Sequence, residues 1–177
     1  MPMTPRDWGL ASAASALLLD QASKLTLLYG FDFKSMPPGD AVPVLPFFNL
    51  VMVWNPGVSY GLFPAHSRVG AIALVFLSLL AVAGLGWWLW NAHRRALAVG
   101  LGLVIGGAIG NNLIDRLIYG KVADFFHFYV FGYDWYVFNV ADAAITFGVI
   151  ALLYDALMRP EARPDQGPGS RQVETRE

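Results

Sequence analysis

Cysteine is absent from this 177-residue sequence, which excludes disulfides, thiolate nucleophiles and Cys-based zinc sites. Charge is scarce as well. Asp, Glu, Lys and Arg make up 14% of the chain, where a soluble domain carries about 25%. The formal net charge is −1, and there is neither a basic block nor an aromatic RNA-binding signature, so nothing points to nucleic acid. Histidine occurs three times, at His66, His93 and His127, with no His-Glu-x-x-His spacing. That argues against a zinc protease, and no other pattern calls for a metal or an organic cofactor. There is no internal repeat.

What is present is apolar. Hydrophobic residues are 56% of the chain and come in long blocks, so they are to be buried in lipid rather than in one soluble core. The length suggests one domain, residues 1–158. Four blocks are long enough to cross a bilayer, at about 8–28, 69–90, 97–118 and 136–158. The first is expected to be a retained helix rather than a cleaved leader, since it lacks a strongly basic start and carries Asp20, Gln21 and Lys24 where a cleavage site belongs. Four spans put both termini on one side. Arg6, Arg94, Arg95, Arg159, Arg163, Arg171 and Arg176 place seven of the twelve basic residues there, which makes it the cytoplasmic side.

The predicted fold is therefore mainly α, a bundle of four transmembrane helices. A small extracytoplasmic β-sheet is expected in the first outer loop, about 29–68, where NLVMVW reads as a strand between Pro and Gly punctuation. The second outer loop, about 119–135, is rich in interfacial aromatics. Residues 159–177, rich in Pro, Gly and charge, are expected to be a disordered cytoplasmic tail.

Several polar groupings stand out against this background. Asp20 and Lys24 are an i, i+4 pair suited to an ion pair at a helix end. In GGAIGNNLIDRL, residues 106–117, Gly106, Gly107 and Gly110 form a small-residue packing face. Asn112 and Arg116 are again i, i+4, beside Asp115: a helix-end charge cluster, or a donor pair aimed at a substrate. NPGVSYGLF, residues 55–63, has turn chemistry, and its Ser59 could serve as a nucleophile only if it met Lys24. Asp155 lies near the inner end of the last span, four residues from Arg159.

Asp124 and Asp142 raise the sharpest question. Asp142 lies in an apolar run, about six residues or roughly 9 Å below the outer end of the fourth span, with Asn139 on the same face. Asp124 is on the preceding connection, close enough to fold back. Two carboxylates at one mouth can share a proton and activate one water, the minimum for aspartyl peptide hydrolysis. The alternatives are a solvated loop acid beside a bundle contact, or a proton relay through Asp142 and Asp20 in a small transporter.

Taken together, DQASK, NPGVSYGLF, GGAIGNNLIDRL, GKVADFF and FNVADAAIT resemble, in order and placement, the motifs of the lipoprotein signal peptidases, the signal peptidase II family of bacterial plasma membranes. The resemblance covers nearly all of residues 8–158. It implies an aspartyl endopeptidase that removes signal peptides from prolipoproteins, cutting just before a diacylglyceryl-modified cysteine. By motif, Asp124 and Asp142 would be the catalytic dyad. Asn55, Gly57, Asn112, Arg116, Val122, Asn139 and Ala141 would line the substrate groove, with Asp20 and Lys24 in support. The implied partners are lipid-modified prolipoproteins and membrane lipid, without nucleic acid, metal or cofactor. The enzyme would be a monomer in the plasma (inner) membrane, with cytoplasmic termini and an active site near the outer face. The sequence departs from the family pattern at Gly110-Asn111-Asn112, one residue longer than usual before Asp115-Arg116. Counting back from Asp115 selects Asn112 and counting forward from Gly110 selects Asn111; Asn112 is preferred because it keeps the i, i+4 relation to Arg116, and a π-bulge could absorb the extra residue.

Overall fold

The computed structural model describes residues 1–57 and 68–158. Ser59, His66 and the tail 159–177 lie outside them. Helix α1 spans Pro5–Leu25 and starts cleanly, because Thr4 and Asp7 form a capping box and Pro5 supplies a fixed φ. A π turn, Thr26–Gly30, ends it. Strands β1 (Ala41–Leu45) and β2 (Phe48–Asn55) follow, then helix α2 (Arg68–Trp90). Helix α3 (Arg95–Ala108) passes through a π segment, Ile109–Asp115, into a last turn, α4 (Arg116–Tyr119). Strands β3 (Val122–Val130) and β4 (Tyr133–Asp134) lead to helix α5 (Val140–Leu157).

Helix α3 is the axis of the bundle, packed between α1 and α5. Its glycines allow this. A Cβ on Gly107 would lie 2.6 Å from the Ala141 carbonyl oxygen, and one on Gly100 would lie 3.0 Å from that of Gly148. On the opposite side, Gly102 and Gly106 approach the Gly9 and Ala13 carbonyls too closely for any side chain. This is the small-xxx-small contact that brings membrane helices together where burial of apolar surface offers no driving force. At one end of the bundle, Leu89, Leu97, Ala98, Leu101 and Ile105 form a buried cluster. Arg94 pairs there with Asp155, so Asp155 has a partner on the α2–α3 connection; Arg159, the neighbour expected from the sequence, lies outside the described residues. Three helical stretches, Val69–Trp90, Arg95–Tyr119 and Val140–Leu157, are long and apolar enough to cross a membrane. Helix α1, the remaining expected span, is 21 residues long, but Asp20, Gln21 and Lys24 interrupt its apolar run.

The four strands form one antiparallel sheet in the order β1-β2-β3-β4. This corrects the sequence reading, which placed the sheet in the first loop alone. Its longest strand, β3, comes from the second connection. VADFFHFYV is rich in aromatic and β-branched residues, and it pairs with β2 from Phe48↔Phe128 to Asn55↔Val122. Ala123 and Phe125 point inward onto Leu27, Leu28 and Phe33, which ties the sheet to the end of α1.

A second correction concerns the fourth span. It begins at Val140, not near residue 136, because Asn139 caps it. The Asn139 carboxamide oxygen accepts the Asp142 N–H at 3.0 Å, and Asp142 returns a carboxylate oxygen to the Asn139 N–H at 3.2 Å. Asp142 therefore sits in the first helical turn at the mouth, not six residues below it.

Candidate active site

Asp124 and Asp142 come from separate elements, β3 and the first turn of α5, and line one cavity of about 230 Å³. Asn139 joins them. While its oxygen caps α5, its Nδ2 donates to an Asp124 carboxylate oxygen at 2.6 Å and to the Ala123 carbonyl at 3.2 Å. The second Asp124 oxygen accepts from Asn55 Nδ2 at 3.2 Å, and that amide also reaches the Tyr136 hydroxyl at 2.9 Å. Asp142 accepts from Asn111 Nδ2 at 2.9 Å. Each carboxylate is thus held by neutral amides rather than by a cation.

Burial, and then the negative charge of Asp142, push the Asp124 pKa from 3.8 up to about 8. The Asn55 and Asn139 donors oppose this without cancelling it. A carboxyl that keeps its proton at neutral pH, beside a second carboxyl, has what shared acid–base work requires.

The buried cation behind the pair is Lys24, 1% exposed, and it reaches both aspartates through intermediaries. Its ammonium lies 2.8 Å from Asp20 and 2.8 Å from Asp115, and donates to Asn111 Oδ1 at 2.6 Å. Asp20 accepts the Ala141 N–H at 3.0 Å, and Asp115 accepts the Ala123 N–H at 3.2 Å. Each of these N–H groups belongs to the residue just before a member of the Asp124–Asp142 pair. Gln21 links the two supporting carboxylates, at 3.0 and 3.3 Å. Gly110 leaves room for this arrangement, since a Cβ there would stand 2.5 Å from Asp20 Oδ2.

The remaining candidates form the rim. Arg116 is spent on structure: Nε donates to Asn112 at 3.2 Å, Nη1 to the Pro56 carbonyl at 3.0 Å, and Nη2 to the Gly57 carbonyl. It clamps the turn in which Asn55 Oδ1 accepts the Gly57 N–H at 3.1 Å. Asn55, Gly57, Asn112, Arg116 and Val122 all line the cavity, whereas Ala141 is buried against α3. Asn111 lines it as well. The π segment allows both consecutive asparagines to reach the site, Asn111 toward Asp142 and Asn112 toward Arg116. Asp115 and Tyr136 are contacts that the sequence reading did not assign to the site, and Asn111 was its alternative to Asn112. For Asp115 the sequence offers only its place beside Arg116, and its contact with Lys24 comes from the packing of α1 on α3. Among the described residues, no group of three His, Cys, Asp or Glu side chains is placed to hold a metal ion.

A family model described as "Signal peptidase (SPase) II" matches residues 12–158. The chain belongs to the signal peptidase II family. Among relatives of this peptidase family, the "Lipoprotein signal peptidase" of Nitrobacter hamburgensis is 51% identical over 164 residues, covering 90% of this chain and 98% of that protein. The protein of the same name from Rhodopseudomonas palustris (strain TIE-1) is 49% identical over 160 residues, covering 88% and 95%. Two solved bacterial membrane enzymes share the fold. One, determined by the in meso method at 2.3 Å resolution, has a TM-score of 0.75 at 25% identity and covers 89% of this chain and 92% of its own. The other, at 1.9 Å, has a TM-score of 0.71 at 27% identity, covering 86% and 94%.

Proposed function

We propose that this signal peptidase II family member is an aspartyl endopeptidase that removes the signal peptide from diacylglyceryl-modified prolipoproteins, cutting just before the lipidated cysteine. The observation that carries the reading is the meeting of Asp124 and Asp142 at one cavity. In this mechanism the pair holds one proton, on Asp124 at neutral pH. The Asp142 carboxylate takes a proton from a water between the two. The resulting hydroxide adds to the scissile carbonyl as Asp124 gives its proton to the carbonyl oxygen. Collapse of the tetrahedral intermediate breaks the C–N bond: the proton gained by Asp142 passes to the leaving amine, and one hydroxyl of the gem-diol returns its proton to Asp124 as the new carboxyl group forms, which restores the starting pair. Asn55, Asn139 and Asn111 keep both carboxyls oriented, and Gly57, Asn112, Arg116 and Val122 shape the peptide groove. No step calls for a metal.

Beside Asp142 a second, largely apolar cavity of about 450 Å³ runs past Trp135, Phe138, Ile145 and Phe147. It suits an apolar, membrane-borne substrate that arrives sideways through the bilayer. We place the termini in the cytoplasm, the site at the outer face of the plasma membrane, and the working form as a monomer. A proton-conducting role is less supported. Between Asp142 and Asp155, α5 offers only Thr146 and Tyr154, and the Thr146 hydroxyl is bonded to the Asp142 carbonyl at 2.9 Å. The test is incubation of the purified protein with a lipid-modified prolipoprotein, followed by mass analysis of the new N-terminus. A product that does not begin at the lipidated cysteine overturns the proposal.

A further inference from the structure

Strands β3 and β4 are joined by Phe131-Gly132, between the paired residues Val130 and Tyr133. Both turn residues have positive φ, 51° for Phe131 and 81° for Gly132. Two left-handed residues in a two-residue hairpin are what the strand twist demands, and the residue types that suit them are Asn-Gly or Gly-Gly. Gly132 fits. Phe131 does not, because its Cβ crowds the backbone in that region. Its ring is also 98% exposed, so nothing inside the fold compensates for the strain. Conformation and hydration both disfavour phenylalanine at this position in water.

The surroundings identify the medium that suits it. Tyr133 is 82% exposed, Trp135 66% and Val130 50%. Residues 122–139 contain no Lys or Arg, and Asp134 at the strand end lies 3.3 Å from His127. The hairpin is fastened to the start of α5, since Phe126 and Phe138 exchange backbone hydrogen bonds of 2.8 and 3.1 Å. A continuous apolar surface then descends from the hairpin past Trp135 and Phe138 to Phe147, on the outward face of α5. The tip thus belongs to the same apolar face as a helix that can cross the bilayer.

We propose that the Phe131-Gly132 tip, flanked by Tyr133 and Trp135, inserts into the lipid interface and anchors β3 at a fixed height over the bilayer. The partner is the acyl–headgroup boundary of the leaflet that surrounds the start of α5. Without a cation at the tip, insertion is apolar and does not depend on anionic lipid. The inference rests on α5 crossing the membrane, not on the peptidase reading, although a fixed β3 would also fix Asp124.

The absence of cysteine makes the test direct. Phe131→Cys and Tyr133→Cys each give a single labelling site for an environment-sensitive fluorophore, in nanodiscs of phosphatidylcholine. Blue-shifted emission is expected at both, with quenching by a shallow nitroxide lipid at least about twofold stronger than by aqueous iodide. Anionic lipid or added salt should leave the result unchanged. In Phe131→Asn/Tyr133→Cys the turn is relaxed but the anchor is lost, so the label at 133 should move toward water, again by about twofold in the quenching ratio. Water-like emission at both sites overturns the proposal, as does an unchanged ratio in the Asn variant. Shielding that develops only when a lipopeptide substrate is added would assign the tip to substrate instead, and would also overturn it.

Discussion

Replacing Asp124 by asparagine separates the charge of this side chain from its shape. In the folded protein the carboxyl holds its proton up to about pH 8, against 3.8 for an unperturbed group. The folded state therefore binds a proton that the unfolded chain has released, and stability falls as pH rises between those values. At pH 7 the folded group is protonated in about ten molecules to one, and the linkage costs roughly 4 kcal/mol of stability as an upper bound. Asparagine is neutral at every pH and removes that cost. It brings one of its own, because its NH₂ must face either Asn139 Nδ2 or Asn55 Nδ2, both donors. One lost hydrogen bond is about 1–2 kcal/mol. Asp124→Asn should then be about 2 kcal/mol more stable than wild type at pH 7, but no more stable near pH 4. Thermal unfolding in detergent across that range should show a falling wild-type curve and a flatter variant. Cleavage should drop by at least about a thousandfold, because asparagine cannot release a proton to the carbonyl oxygen. In the wild type, kcat/KM should decline above about pH 8 as the shared proton leaves. Parallel stability curves for the two proteins, or substantial turnover by the variant, would refute the assignment of the shared proton to Asp124.

Asn139→Ala should cost about 1–2 kcal/mol through the lost helix cap and also abolish cleavage. Asn139→Ser keeps the capping oxygen but not the donor to Asp124, so it should recover the unfolding temperature and not the activity; recovery of both would show that the 2.6 Å contact is dispensable. Asp115→Ala removes the acceptor of the Ala123 N–H and should lower kcat per folded enzyme at least about tenfold, with Asp115→Asn intermediate because it keeps the acceptor. Equal kcat in all three would make Asp115 a stability residue only. Gly110→Ala forces a methyl to 2.5 Å from Asp20 Oδ2, the oxygen that accepts from Lys24 and Gln21, and should cost about 1–3 kcal/mol by displacing that carboxylate; an unperturbed variant would mean that α1 and α3 slide apart freely. Unlipidated prolipoprotein should be cleaved with a much lower kcat/KM than the lipidated form, since remote binding energy positions the scissile bond, and equal values would recast the enzyme as a general signal peptidase.

Much of this protein was legible along the chain. Long apolar blocks with few charges can be satisfied only in lipid, so the helices and their approximate extents follow from hydropathy alone. Gly106, Gly107 and Gly110 announced a close helix contact before its partner was known. Asp124 and Asp142 stood out because an apolar chain carries isolated acids at a cost, and the two were near enough in sequence to share a mouth. What the chain could not disclose lay in contacts between distant segments. The start of α5 depends on Asn139 turning its oxygen inward as a cap while its amide reaches β3, a choice between conformers that hydropathy does not see. Strand β3 reads locally as an aromatic loop and becomes a strand because β2 offers it a ladder. The partners of Lys24 include Asn111, 87 positions away, and through Asp20 the backbone of Ala141, 121 positions from that acid. An i, i+4 rule finds Asp20 and Lys24, but only the packing of α1 on α3 adds Asp115, because a buried ammonium takes whichever acids the fold brings within 2.8 Å.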